Sequence, residues 1–567
     1  MEIRKKDRKV AYFSMEIGLE PNMPTYAGGL GILAGDTLKT CADLNVPVVA
    51  VSLLYRDGYF KQHLDSDGNQ TESPDRWDYD NKLELLPEKV VVSISGRDVV
   101  IQAWQYTVKG FTEFEVPVLF LDTNLPENTD QDRIITQKLY QGDHSMRISQ
   151  EIVLGIGGLK MLQDLGYKNI KKHHLNEGHG SFLILELLSD TRLHHGKSDL
   201  RELYDFEEVK HSCVFTTHTP VAAGHDQFDP QLVKDIIGKN INSELLDYSV
   251  KNGKINMTQI ALANSEYVNG VAKKHAFVSK QMFPEHKIAS ITNGIYCPFW
   301  VHPGMQELFD KYIPKWFLDP TDLRHAMIIP DKELWNAHIK AKKDLIDFVN
   351  TKYNSNLSPD VFTIGFARRA AEYKRVELLF SDIKKLKSIV KKVGKIQIVL
   401  AGKAHPQDGG GKGLIKRVFE KIKELKGLIE IVYLENYNIE IAQKMVPGVD
   451  IWLNTPLKPR EASGTSGMKA ALNGVPQFSI LDGWWIEGCI EGLTGWSIGT
   501  NEKESNWDED AKDLYDKLEK EILPIFYNKK SEWRKIMKYS ISFNASYFNT
   551  HRMVKDYVLN AYFIESE

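Results

Sequence analysis

The sequence predicts an α/β protein with two doubly wound parallel units, and three observations carry that expectation. The second half alternates short apolar strands with helical stretches, F-T-I-G-F, I-Q-I-V-L-A-G, I-E-I-V-Y-L, D-I-W-L-N and Q-F-S-I-L, as a parallel sheet with crossover helices requires. The first half opens on a buried-strand pattern, V-A-Y-F-S at residues 10–14, then a glycine-rich turn into a helix over 26–43 and a second strand within 45–54. Finally, residues 461–474, E-A-S-G-T-S-G-M-K-A-A-L-N-G, hold an acid, a phosphate-sized turn and one lysine within nine residues.

Composition narrows the function. The chain has 567 residues, 42% hydrophobic and 26% charged, an ordinary globular composition with room for two or three domains. Its 72 basic and 76 acidic residues leave a formal net charge of −4, so no global field recruits nucleic acid or an anionic membrane. Any anion site must be local. No apolar signal region precedes the first strand and no run of about 18 apolar residues occurs, from which a soluble, cytoplasmic protein is expected. Cys41, Cys213, Cys297 and Cys489 lack C-x-x-C spacing and read as buried free thiols.

Taken in order, Gly29-x-Gly31-x-x-Ala34 matches a dinucleotide fingerprint, but the acid expected after the next strand is replaced by L-L-Y-R, which weakens a nicotinamide reading. What remains is glycine that lets a ligand approach amides at a helix start. Residues 90–122 read as antiparallel strands, an excursion from the parallel core, and residues 131–164 as largely helical. H-H-L-N-E-G-H-G-S-F (173–182) and V-F-T-T-H-T-P (214–220) place histidines beside short strands; a zinc site of His173, His174, His179 and Glu177 fits no common spacing, and hydrogen-bonded histidines are the simpler reading. After Y-C-P-F-W the chain enters a polar helical stretch, where the crossing between domains is expected.

In the second half A-R-R-A-A-E-Y-K-R (367–375) clusters cations after a strand end, with a helix expected from Val376; a solvated charge run would also explain them. Residues 461–474 follow a strand-like lead-in ending at 459–460. Gly464, Thr465, Ser466 and Gly467 would leave amides free at a helix start, where an anion is favoured, with Lys469 one turn on. A Ser/Thr-capped helix with a surface lysine fits the stretch equally well. It is not a Walker A loop, whose glycine spacing differs.

E-A-S-G-T-S-G-M-K resembles the cofactor segment of the α-glucan (glycogen, starch, maltodextrin) phosphorylases. The resemblance implies that Lys469 carries pyridoxal 5′-phosphate as a Schiff base and that Gly464, Thr465 and Ser466 hold its phosphate; Ser466-Gly467 depart from the family's usual pair. It further assigns Gly28, Gly29 and Leu30 to a loop over the glucosyl group and substrate phosphate, His218 and Asn293 to the sugar, and Glu461, Ala462 and Ser463 to the substrate side. Arg369 and Lys374 match substrate-phosphate ligands, Arg368 replaces a lysine near the cofactor phosphate, and Trp300 and Tyr437 match aromatic residues of the cofactor pocket. His179 is a weaker candidate beside them.

The resemblance covers most of the chain and implies the GT-B arrangement, two Rossmann-like domains facing across a cleft: 1–293 for the glucan, 294–540 for the cofactor, and 541–567 returning to the first domain. The implied reaction is retaining phosphorolysis of α-1,4-glucan by orthophosphate. A homo-oligomer is compatible with the sequence; nucleic acid and membrane partners are not expected. A nucleotide-sugar-dependent synthase of the same fold would carry a second glutamate where this chain has Lys469, and a non-catalytic glucan-binding protein would not need the cations. A regulatory N-terminal extension is not expected.

Overall fold

The computed structural model describes residues 4–192, 200–500 and 504–563. Its first sheet contains β1 (Val10–Ser14), β2 (Val48–Leu53), β3 (Glu84–Ile94), β4 (Arg97–Lys109), β5 (Glu115–Asp122), β6 (Lys172–Asn176), β7 (Cys213–Thr217), β8 (Tyr267–Gly270) and β9 (Ala289–Ser290), in the order β9-β8-β7-β6-β1-β2-β5-β4-β3. The second contains β10 (Phe362–Ala367), β11 (Ile396–Ala401), β12 (Glu430–Leu434), β13 (Ile451–Asn454), β14 (Gln477–Ile480) and β15 (Gly495–Ile498), all parallel, in the order β12-β11-β10-β13-β14-β15. Counting parallel strands alone, each sheet starts 3-2-1-4. The order therefore reverses between β1 and β6 and again between β10 and β13, and such reversals leave a crevice at the strand C-termini.

The apolar runs dictate this. β1, β2, β6, β7, β10 and β11 are buried along their whole length, which requires cover on both faces of each sheet. Between and around the sheets run α1 (Gly29–Asp43), α2 (Asp331–Tyr353), α3 (Ser466–Leu472) and α4 (Thr550–Tyr557).

Three local readings change, and the largely helical reading of 131–164 holds with one interruption. The strands over 90–122 are no excursion: β5 pairs in parallel with β2, and β4 and β3 extend the same sheet antiparallel. The stretch 131–164 is one turn, Asp130–Arg133, then a rod over 144–164 with a π-turn at Val153–Gly157. After Val376 comes a 3₁₀ turn, Val376–Phe380, and the α-helix starts only at Ile383–Lys392, where Asp382 caps it. The lead-in to 461 leaves strand geometry at Asn454, because Pro456 and Pro459 cannot donate to a ladder.

Long-range contacts tie the halves together. A hairpin, Lys61–Leu64 with Gln70–Ser73, reaches the second sheet, where Gln62 Nε2 donates to Gly402 O (2.9 Å) and Gln70 Nε2 to Ala404 O (2.8 Å). At the chain end α4 lies on α1, with the Thr40 and Thr550 hydroxyls 2.5 Å apart, and Tyr557 Oη lies 3.1 Å from Thr216 Oγ1. Residues 564–567 of the expected 541–567 segment lie outside the described residues. No helix among the described residues is long and apolar enough to cross a membrane. Three cysteines are buried and Cys489 is half-buried; none is paired.

One buried charge knot anchors the strands that lead to the second sheet's reversal. Asp450 accepts from Lys342 Nζ of α2 (2.6 Å) and from Thr363 N of β10 (2.7 Å), and lies 2.8 Å from His338 Nε2. Burial alone would raise its pKa, yet Lys342 and His338 hold it below the usual carboxylate value. A carboxylate so depressed stabilises the fold above the unfolded pKa, and that contribution is lost as pH falls through the folded one. Asp450→Ala leaves Lys342 buried without its counter-charge and is expected to cost ~3 kcal/mol in denaturant unfolding.

Candidate functional site

A cavity of about 1630 Å³ lies where the C-terminal ends of both sheets meet, lined by residues that follow β1, β6, β7, β10, β12 and β13. Both reversal points open into it.

On the first sheet's side, α1 begins at Gly29 with Gly28 as its cap residue. Glu16, two residues past β1, accepts from the amides of Ala27 (2.6 Å) and Gly28 (3.0 Å), and its other oxygen accepts from the Tyr140 hydroxyl (2.9 Å). The Gly28 amide is thus already engaged. What Gly28 and Gly29 offer is room, since a Cβ at either would meet nothing within 4 Å, and Leu30 completes this edge of the cavity. Gly35 serves packing instead: a Cβ there would fall 1.8 Å from Gly18 O.

His218 follows β7 and is fixed in tautomer. Asn176 donates its Nδ2 to Ser14 Oγ (3.0 Å), which leaves Oδ1, 2.6 Å away, to accept from His218 Nε2. Nδ1 then remains an acceptor. Burial lowers the His218 pKa to about 3, so the ring is neutral near pH 7. Its backbone is held by Glu177, whose carboxylate accepts from His218 N (2.8 Å) and Thr219 Oγ1 (2.9 Å). Glu177 itself sits at φ +76°, a strained conformation for a non-glycine residue, costing roughly 1–3 kcal/mol and held by these bonds. His174 is engaged elsewhere, between Tyr562 Oη (2.7 Å) and Thr216 Oγ1 (2.8 Å), and His179 lies 3.6 Å from Asp226.

The cations of 367–375 divide by direction. Arg368 and Lys374 both donate to Glu461 Oε2, Lys374 at 2.6 Å, and Arg368 also donates to Asn454 Oδ1 (2.5 Å). Arg369 donates to Tyr373 Oη (3.1 Å) on the cavity wall. Arg375 turns away and binds the carbonyls of Thr455 and Pro456 and the Asp510 carboxylate. Burial would raise the Glu461 pKa, but Arg368 and Lys374 hold it down at about 2. Lys374 is lowered too, by burial and by the Arg368 charge, despite its bond to Glu461. The two shifts agree: positive charge exceeds negative, and an arriving anion would relieve the excess.

Residues 461–465 turn into α3. Gly464 has φ +90°, which glycine tolerates, and Gly467 admits no side chain because a Cβ would lie 1.4 Å from Gln477 Oε1. Ser466 Oγ accepts from Trp452 Nε1 (3.1 Å). Ala462, Ser463, Gly464 and Thr465 line the cavity, and Ser463 Oγ and Asn293 Oδ1, both of cavity-lining residues, are buried without a hydrogen-bond partner among the described residues. Lys469 is no surface lysine. It is 7% exposed, its amine lies 3.4 Å from the Trp300 ring centroid, and burial lowers its pKa to about 8. Such desolvation makes a lysine nucleophilic near neutrality. Tyr437 lines the same wall.

Sequence reasoning did not select Glu16, Asp36, Asn176 or Tyr373, which hold the selected residues in place. Asp36 accepts from Trp300 Nε1 at 2.8 Å. A polar residue at a strand end or inside an apolar helix, as at Asn176 and Asp36, was the available signal.

Fold and site together define an α/β protein whose two sheets share a cavity that brings clustered cations and a buried lysine of lowered pKa together. The carbohydrate phosphorylase family model matches residues 15–152 and 233–491. The chain is 38% identical to a maltodextrin phosphorylase of Thermococcus litoralis, over 98% of this chain and 70% of that protein, and 35% identical to a glycogen phosphorylase of Aquifex aeolicus, over 98% and 86%. It is also 32% identical to an uncharacterized protein of Methanocaldococcus jannaschii, over 98% of this chain and 100% of that one. The chain belongs to the carbohydrate phosphorylase family and is an enzyme of glycosyl transfer.

Orthophosphate is expected to raise the melting temperature, since a ligand at 100 times its Kd adds about 2.7 kcal/mol to stability. Lys374→Met should abolish that rise while sodium chloride at equal ionic strength has no such effect in the parent protein, as followed by thermal unfolding.

Proposed function

We propose that this enzyme catalyses the reversible phosphorolysis of the terminal α-1,4-linked glucosyl residue of glycogen or maltodextrin, with retention, to α-glucose 1-phosphate, and that it depends on pyridoxal 5′-phosphate. The observation that carries the reading is the cation excess around Glu461 in one cavity with the buried amine of Lys469. The relatives' names, maltodextrin and glycogen phosphorylase, support the substrate class. Unpaired cysteines agree with a reducing, cytoplasmic setting.

The division that follows is residues 1–293 as the glucan-binding domain, 294–540 as the cofactor domain and 541–567 as a return to the first, in the GT-B arrangement across a cleft. A cavity lined from both sheets supports it.

The residues fit the cofactor, because a buried lysine of lowered pKa, two cations sharing one carboxylate, and buried polar atoms of Ser463 and Asn293 that have no hydrogen-bond partner among the described residues line one cavity. Lys469 would hold its aldehyde carbon; Gly464, Thr465, Ser466 and Arg368 its phosphate; Trp300 and Tyr437 would flank it. When bound, it would supply a phosphate able to exchange a proton beside the substrate phosphate.

This chain's own residues would do the rest. Arg369, Lys374 and the Gly29 amide would hold the substrate phosphate by charge and dipole against the developing oxocarbenium ion. His218, neutral and with Nδ1 open as an acceptor, would orient a glucosyl hydroxyl rather than carry charge. Asn293, Gly28, Leu30, Glu461, Ala462 and Ser463 would enclose the sugar, Glu461 acting through Arg368 and Lys374.

The test is glucose 1-phosphate release from glycogen and orthophosphate. Arg369→Ala and Lys374→Ala should raise KM for phosphate more than KM for glucan, and equal weakening would count against their assignment. Borohydride reduction of the holoenzyme should label Lys469 and leave most activity, because the phosphate and its cations remain seated; complete loss with cofactor and fold retained would overturn a phosphate-centred mechanism.

A further inference from the structure

The carboxylate of Asp36 lies inside α1, 2% exposed, in the first half of the chain, whereas Lys469 stands on α3 in the second. Its Oδ2 accepts from Trp300 Nε1 (2.8 Å) and Tyr296 N (3.1 Å). Its Oδ1 is equally buried and has no hydrogen-bond partner among the described residues. The Trp300 backbone is pinned from the other half, since Asn473, one turn past Lys469 on the α3 end, donates Nδ2 to both Trp300 O (3.0 Å) and Lys469 O (2.9 Å). Trp300 is therefore held at its indole by α1 and at its carbonyl by α3, and the Lys469 amine rests on the ring between.

We propose that Asp36 is a positioning residue of this site, which orients the Trp300 ring under Lys469 and, together with Lys39, sets the protonation of the Lys469 amine. The inference rests on the assignment of Lys469 as the cofactor lysine. Lys39 lies one turn from Asp36 on α1, half-buried, with its amine on Leu19 O (2.7 Å) and 3.5 Å from the Phe299 ring centroid. One carboxylate thus acts electrostatically on two lysine amines. The burial that lowers both lysines to about 8 is opposed by the Asp36 charge, and the Lys39 charge pushes Lys469 further down. Asp36 itself is raised by burial and restrained by Lys39 and Lys469. Other charged or titratable groups near this set are Arg368 and Tyr437 on the cavity wall, Glu20 beside Lys39, and Tyr296 and Cys297 beside Asp36.

The arrangement has a chemical use. Condensation with an aldehyde needs the neutral amine, whereas the cation–π contact and the carboxylate both favour the ammonium. Burial sets the lowered value of Lys469, and Asp36 and Lys39 pull it in opposite directions from there. Asn at position 36 can still accept from Trp300 and Tyr296, so Asp36→Asn removes charge and keeps geometry, whereas Asp36→Ala removes both.

The full-length protein, freed of cofactor and exposed to pyridoxal 5′-phosphate across a pH series, is trapped with borohydride, and the labelled peptide is quantified by mass spectrometry. In the parent, label on Lys469 should rise with a midpoint near pH 8. Asp36→Asn should move that midpoint to lower pH by about one unit and Lys39→Met should move it to higher pH, opposite signs that a merely structural role would not produce. Asp36→Ala should lower the final yield as well, and Asp36→Asn should restore it. Midpoints unchanged in both charge variants, with Lys469 still labelled, overturn the role of Asp36. Label on another lysine in the parent overturns the cofactor assignment instead, so the two failures are distinct.

Discussion

Arg368 and Lys374 reach Glu461 from the loop after β10, while Glu461 comes from the loop after β13, so this charge pairing joins the two strands between which the second sheet reverses its order. The rest of the site depends on it. The pairing aims the 461–465 turn at the cavity, and that turn sets where α3 begins and hence where Lys469 stands. Because two cations share one carboxylate, the desolvation of the second cation is only part-compensated, as the lowered Lys374 indicates. Perturbed titration of this kind, gathered in one cavity, is the physical ground for the proposed anion site.

The first sheet contributes a different kind of order. Its polar groups next to the cavity are neutral or spent: Glu16 on amides, Asn176 on His218 and Ser14, Glu177 on the 218–219 backbone. They fix shape and leave acceptors open, as suits a polyhydroxylic substrate, while charge is concentrated on the second sheet. Burial holds His218 neutral near pH 7, which makes it a hydrogen-bonding group. The halves are held in register by contacts away from the chemistry, the Lys61–Ser73 hairpin on one flank and α4 against α1 on the other.

Much of the fold was legible in the chain. The second half's strand and helix succession follows from apolar runs punctuated by turn residues, and the all-parallel second sheet is what such a succession can build. Places where the reading slipped have local causes. The strands over 90–122 alternate in a way that marks antiparallel pairing, but nothing in the alternation tells that β5 would dock on β2 and extend the parallel sheet. The prolines at 456 and 459 cut the lead-in strand short, although the surrounding residues are strand-like.

Around the site, residue type and order marked Lys469, the glycines before it and the cation run as candidates, because turns, helix starts and charge clusters are written in contiguous residues, while the choice among readings, and His218 altogether, came from the family resemblance. Sequence could not apportion the cations. Arg368 and Lys374 converge on Glu461, Arg369 faces Tyr373 and Arg375 leaves for Asp510, and these partners lie between 4 and 135 residues away. Nor could it show that Asp36 and Lys469, one on each half, meet through Trp300. Local pattern encodes what a residue can do; its pKa and its partner depend on which distant surfaces exclude water around it, and only the packed chain creates those surfaces.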